Sequence, residues 1–150
     1  MFGTEWAIDN LLPPIVQIRE HESYLRRLTA LKACSMMATA MDADTARQQI
    51  LPIILEMAAD VVGLDFWVQH CDYKYRTFLI IVSFVVQVPN IRFNVARELR
   101  AIAIVCGANS YEPFIMPILN MLAEDDDRDV RYYAELSLNA LDEEFATITK

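Results

Sequence analysis

Glycine is almost missing from this chain, 3 in 150 residues. The three stand alone, so no glycine-rich loop can cradle a phosphate. Cysteine is equally sparse: Cys34, Cys71 and Cys106 are odd in number, scattered, and form no CxxC pair. A disulfide framework is therefore not expected, and they read as reduced thiols of an intracellular protein, two of them facing a core. No apolar run reaches the ~18–20 residues that span a membrane. The start shows no basic segment leading into an apolar one, so no secretory signal is expected. A positive charge excess is also lacking. The net charge is -8, which disfavours nucleic acid as a partner.

What is present is apolar residue in quantity, 55% of the chain, enough for a continuous core and too much for disorder. Abundant Ala, Leu, Met and Ile with little Gly favours helices. Charge is uneven. Glu124, Asp125, Asp126, Asp127, Asp129, Glu135, Asp142, Glu143 and Glu144 face only Arg128 and Arg131 in the same stretch. That acidic end is a solvated face or a surface offered to a basic partner.

Two landmarks repeat. A proline follows an apolar residue in LPPIVQI (Pro13), LPIILEM (Pro52) and MPILNML (Pro117), and an arginine opens the next segment at Arg27, Arg92 and Arg131. Pro13 to Pro52 and Arg92 to Arg131 are both 39 residues; Pro52 to Pro117 and Arg27 to Arg92 are both 65. The excess of 26 is the same in both cases. The chain is thus three copies of a 39-residue unit with 26 residues wedged into the middle copy, the signature of a stacked repeat. The units run over about 5–41, 44–106 with the insertion at 62–87, and 110–145, followed by a tail at 146–150.

Each unit reads as two helices joined by a polar turn. Ile15, Ile54 and Leu119, then Ile18, Met57 and Leu122, share positions after the proline. Ala30, Val95 and Ala134, then Cys34, Leu99 and Leu138, then Met37, Ile102 and Leu141, share positions after the arginine. Steps of three and four place them on one helical face. First helices are predicted over Trp6–Arg19, Thr45–Ala59 and Tyr111–Glu124, second helices over Tyr24–Ala40, Asn90–Cys106 and Val130–Phe145. The prolines require the first helix to bend or begin at them. Asp44, Ser110 and Asp129 are the expected N-caps, and Gly107 the stop of the helix before it. The fold class is all-α, an α-α superhelix of three stacked hairpins. No strongly polar capping unit is visible, so the outer faces should be apolar, as in a piece of a longer solenoid.

Units of this length, with Pro in the first helix and V-R or I-R opening the second, resemble HEAT repeats. FGTEWA (Phe2–Ala7), SYLRR (Ser23–Arg27), LPIILEMAAD (Leu51–Asp60), VPNIRFNVARELRAI (Val88–Ile102) and DRDVRYYAELSLNAL (Asp127–Leu141) resemble the C-terminal repeats of the protein phosphatase 2A scaffold family, the 65-kilodalton regulatory A subunits. The resemblance implies a non-catalytic scaffold whose later repeats form a ridge of turns that holds the phosphatase catalytic subunit. Here that ridge would comprise Glu22, Ser23 and Tyr24, then Pro89 and Asn90, then Asp127, Arg128 and Asp129. Arg27, Arg92 and Arg131 would serve the fold, pairing with acids or carbonyls between neighbouring repeats. The site for a variable B-type regulatory subunit, which belongs to earlier repeats, would be absent. Location in the cytoplasm, and also the nucleus, follows from the same resemblance.

The wedge, Val62–Gln87, has no repeat periodicity, and deleting it gives AADVVPNIRFNVA with both spacings restored. Three readings compete. It is a loop insertion, which solenoids tolerate in turns, although one this long usually carries its own structure. It is a membrane segment, for which its apolar run is too short. Or it is a retained intron, in frame, whose valine codon opens on GT, whose glutamine codon ends in AG, and whose TFLIIVSFVV suits pyrimidine-rich codons. The last is the reading favoured here.

No catalytic constellation emerges, and an enzyme is not expected. His21 lies in a polar turn and should be solvent-exposed. His70, Cys71 and Asp72 are adjacent and lack a spaced fourth ligand, so no metal is expected. Ser35 and Ser83 lack a nucleophile-elbow setting. Met36, Met37 and Met41 sit at helical spacing and read as core. No cofactor is expected. Rival readings are a HEAT-type adaptor holding a basic cargo through the acidic end, and a truncated, nonfunctional gene product.

Overall fold

The computed structural model describes residues 3–19, 21–58 and 88–148. The wedge, and with it His70, Cys71, Asp72 and Ser83, lies outside the described residues. Among those residues every element is helical, in keeping with the all-α expectation. In the first unit α1 (Thr4–Asn10) and α2 (Leu12–Ile18) precede α3 (Tyr24–Thr39). In the second, α4 (Ala43–Thr45) runs through a π-helical turn (Ala46–Ile50) into α5 (Leu51–Ala58), and α6 (Pro89–Cys106) follows. In the third, α7 (Ala108–Ser110) passes through a π-helical turn (Tyr111–Ile115) into α8 (Met116–Leu122), and α9 (Arg128–Ile148) follows.

The prolines explain the interruptions. A proline inside a helix has no N–H to give and its ring collides with the carbonyl four residues back. The two π-helical turns end at Ile50 and Ile115, each two residues before its proline, and the wider turn makes room for the ring. In the first unit the predicted single helix divides at Leu11, two residues before Pro13. There a second proline, Pro14, removes another donor. Leu11, Ile50 and Ile115 keep the spacing of the prolines themselves.

Three predicted caps move. Asp42, not Asp44, caps the middle unit: its Oδ1 accepts from Thr45 N at 3.0 Å and its Oδ2 from Thr45 Oγ1 at 2.7 Å. Asp44 instead pairs with Arg47, one turn on. Ser110 is buried and donates to the Cys106 carbonyl at 3.4 Å rather than capping. Asp127, not Asp129, caps α9, accepting from Asp129 N at 2.9 Å and Val130 N at 3.1 Å. The helix begins two residues earlier than predicted, so the cap moves with it. Gly107 ends α6 at φ 77°, which costs glycine no Cβ clash.

The second helices form a row with α6 in the middle, packed against α3 on one side and α9 on the other. Each also packs on the first helix of its own unit. Val95, Leu99 and Ile102 of α6 are fully buried, as are Ala30 and Cys34 of α3 and Ala134 and Leu141 of α9. Met37 and Leu138, in the outer units, are only half-buried. Ile54 and Leu119 are sealed while Ile15 is partly covered. Trp6, Leu11 and Leu25 at one end and Tyr132 and Leu136 at the other are exposed. Met37 and Met41 pack against the core, but Met36 points outward.

Candidate functional site

The turn of the first unit is organised by one arginine. Arg27, buried, lies one turn inside α3 and donates from one Nη1 to the carbonyls of His21 (2.8 Å) and Glu22 (3.0 Å). The third turn repeats this with the same intervals: Arg131 Nη1 donates to the carbonyls of Asp125 (2.6 Å) and Asp126 (2.8 Å). Among the described residues, then, these two arginines bond carbonyls in the turn of their own unit. The reach of the side chain back over one helical turn makes the local carbonyls its nearest acceptors.

A second matched bond tightens each turn. His21 Nδ1 accepts from Ser23 N at 3.0 Å, and Asp125 Oδ1 accepts from Asp127 N at 2.9 Å. His21 and Asp125 occupy the same place in their units. His21 is consequently half-buried and engaged, with Arg26 Nη1 2.9 Å from its Nε2, instead of free in solvent. A residue that can accept, six positions before the arginine, is the readable signal for this, and the proline and arginine landmarks alone do not reveal it.

Arg92 does cross between repeats. Its Nε and Nη2 each donate at 2.8 Å to the two carboxylate oxygens of Asp125 in the third turn. Only 5% of the Asp125 side chain and 15% of that of Arg92 are exposed. Burial pushes the Asp125 carboxyl upward, but the Arg92 bonds, the Asp127 N–H and the nearby Arg131 outweigh it and hold the group below the usual carboxylate value. Asp125 thus locks the third turn to the middle unit. Other seams between repeats are Arg19 with Glu56, Lys32 Nζ with Glu98 (3.1 Å), and Ser137 Oγ donating to the Ala96 carbonyl (3.0 Å). Phe93 stacks on Tyr133 with centroids 5.3 Å apart.

The predicted ridge residues divide by role. Glu22, Tyr24, Pro89, Arg128 and Asp129 are exposed at the turns, Ser23 and Asn90 are half-buried, and Asp127 is spent on capping α9. The Asn90 carbonyl accepts from Asn94 Nδ2 at 2.7 Å. Within the acidic end Asp125, Asp127 and Asp142 are likewise engaged, the last accepting from Tyr111 Oη at 2.8 Å. No cluster of His, Cys, Asp or Glu among the described residues could hold a metal ion, and no helix among them is long and apolar enough to cross a membrane. Cys34 and Cys106 are buried thiols, each pushed up to about 11 by burial against the smaller opposing pull of Arg19 and Arg47 respectively.

No family model matches the chain. Curated relatives do. The regulatory A subunit of protein phosphatase PP2A from Saccharomyces cerevisiae is 27% identical over 146 residues, covering 92% of this chain and 19% of the yeast protein. Its Schizosaccharomyces pombe namesake is 31% identical over 102 residues, 68% of this chain and 13% of that protein. The chain's homologues are regulatory A subunits of protein phosphatase 2A. The beta isoform of the human 65 kDa regulatory A subunit adds 37% identity over 54 residues, 36% of this chain and 9% of the human protein. This chain therefore spans less than a fifth of the length of the relatives it matches. They are named as regulatory subunits, which supports a non-enzymatic chain.

Proposed function

We propose that this chain is a scaffold segment that carries a serine/threonine phosphatase catalytic subunit on its row of turns, without chemistry of its own. The observation that carries the reading is homology to regulatory A subunits over almost the whole chain. Rigid turns support it. Two carbonyls, an arginine and a side-chain acceptor fix the first and third turns, so exposed Tyr24, Arg128 and Asp129 are presented at low entropic cost. B-type subunit binding is assigned to repeats outside this chain, neither nucleic acid nor membrane is a partner, and the protein works in cytoplasm and nucleus. The rival adaptor for a basic cargo is weakened because Asp125, Asp127 and Asp142 already serve the fold.

The test is surface plasmon resonance of the 150-residue chain against purified phosphatase catalytic subunit. Arg128→Glu with Asp129→Lys should weaken binding at least tenfold without changing the far-UV circular dichroism, and binding should survive moderate salt. Asp127 is unsuitable, since its loss would uncap α9. No binding by the unaltered chain, or indifference to the double substitution, overturns the reading. Capture of a basic protein that vanishes with added salt would favour the adaptor.

A further inference from the structure

A groove of about 470 Å³ lies across the second helices, lined from α3 by Lys32, from α6 by Arg97, Arg100 and Ile104, and from α9 by Tyr133 and Leu136. None of the turn residues proposed to hold the catalytic subunit contributes to it. Its chemistry is opposite to that of the chain as a whole. Three cations meet one acid, Glu98, whose nearly buried carboxylate is already paired with Lys32, in a molecule of net charge -8.

The cations differ in readiness. Arg97 is held with its guanidinium carbon 5.4 Å from the centre of the Tyr133 ring, a geometry that orients the fork and leaves its edge N–H groups available. Arg100, exposed, makes no hydrogen bond or ion pair among the described residues. Beside them Ile104 is 51% exposed and Leu136 44%. Met36 extends the apolar rim one turn beyond Lys32 on α3. Arg97, Arg100 and Ile104 recur at steps of three and four, so they form one stripe along α6.

We propose that this groove binds a peptide segment in which acidic residues flank a large apolar one. A planar guanidinium with unused donors selects carboxylates, and exposed aliphatic side chains rimmed by charge select an apolar anchor. A long polyanion fits worse. Each added phosphate would meet the negative field of the rest of the chain and would leave Ile104 and Leu136 unfilled. A peptide of few charges avoids the first cost and satisfies both aliphatic residues.

The experiment selects a random peptide library on the immobilised 150-residue chain, then measures winning peptides by fluorescence anisotropy. Winners should carry Asp or Glu together with Leu, Ile or Phe. Arg100→Glu should weaken them at least tenfold and Ile104→Ser severalfold, while Asn120→Glu on α8 changes nothing. Arg100, Ile104 and Asn120 are all exposed, and circular dichroism checks that each variant folds. Basic or uncharged winners, winners indifferent to Arg100→Glu, the absence of winners, or a single-stranded oligonucleotide that displaces them at lower concentration would each overturn the proposal.

Discussion

Replacing Asp125 should do more damage than any other exchange of one surface-turn residue. Its carboxylate accepts three hydrogen bonds, two of them charge-assisted from Arg92 at 2.8 Å and one from Asp127 N at 2.9 Å. Asparagine keeps an acceptor for the Asp127 N–H but turns an amide donor toward the guanidinium. A hydrogen bond to a charged group contributes about 1.5–3 kcal/mol, so Asp125→Asn should cost about 2–3 kcal/mol. Asp125→Ala strands the Arg92 charge as well, and removing one partner of a buried pair costs roughly 3–5 kcal/mol. Urea unfolding followed by circular dichroism at neutral pH reads both. A cycle with Arg92→Ala should show coupling well above the ~0.3–0.5 kcal/mol scatter of independent sites. The sign with pH is fixed by the depressed carboxyl. Its contribution is complete above the unfolded value near ~4 and fades as pH falls through the folded value. The gap between the unaltered chain and Asp125→Asn should therefore close in acid. An Asp125→Asn cost under about 0.5 kcal/mol, or additive single substitutions, would refute the clamp.

Gly107→Ala should destabilise by about 1–3 kcal/mol in the same assay, because φ 77° strains a residue with a Cβ although no neighbour would touch it. In a Cys71→Ser background, Cys34 and Cys106 should resist a thiol reagent at pH 8 until urea unfolds the chain. Their thiols are pushed up to about 11 and sealed, and prompt modification would contradict that. Deleting residues 62–87 should raise the unfolding midpoint. In the deleted form Asp60→Ala should be costly, since Asp60 follows Arg27 by the same 33 residues that separate Arg92 from Asp125. Among the described residues the buried Arg27 Nε has no hydrogen-bond partner, whereas Arg92 Nε has one.

The positions sharing a repeat register after the prolines and arginines were legible because burial on one helical face imposes a period that survives in single sequence. Val95, Leu99 and Ile102 are sealed where the spacing put them. Boundaries were less legible. Asp42 and Asp44 are chemically alike, and only backbone geometry decides which reaches Thr45. The π-helical turns were foreshadowed only as a bend at proline, since nothing in one unit says how a helix will absorb the ring. At the turns, the arginines and the kind of partner, acids or carbonyls, were foreseen, but not which residues supply them. The acceptors of Arg27 and Arg131 are carbonyls, which every residue carries, so residue identity holds no trace of them. The Arg92–Asp125 pair and the groove across α3, α6 and α9 depend on neighbouring units coming together, and no local pattern encodes that.

Among the described residues the seams between units are unequal, and the inequality has a mechanical consequence. The second and third units share a two-pronged guanidinium–carboxylate lock, a buried hydroxyl bond to Ala96 and a ring stack. The first and second share the Arg19–Glu56 contact and the Lys32–Glu98 pair, whose lysine is 62% exposed and open to salt screening. Pulled from its two ends, the chain should yield first between α3 and α6. The third unit should stay fastened to the second until higher force, so that stretching proceeds in two steps rather than one.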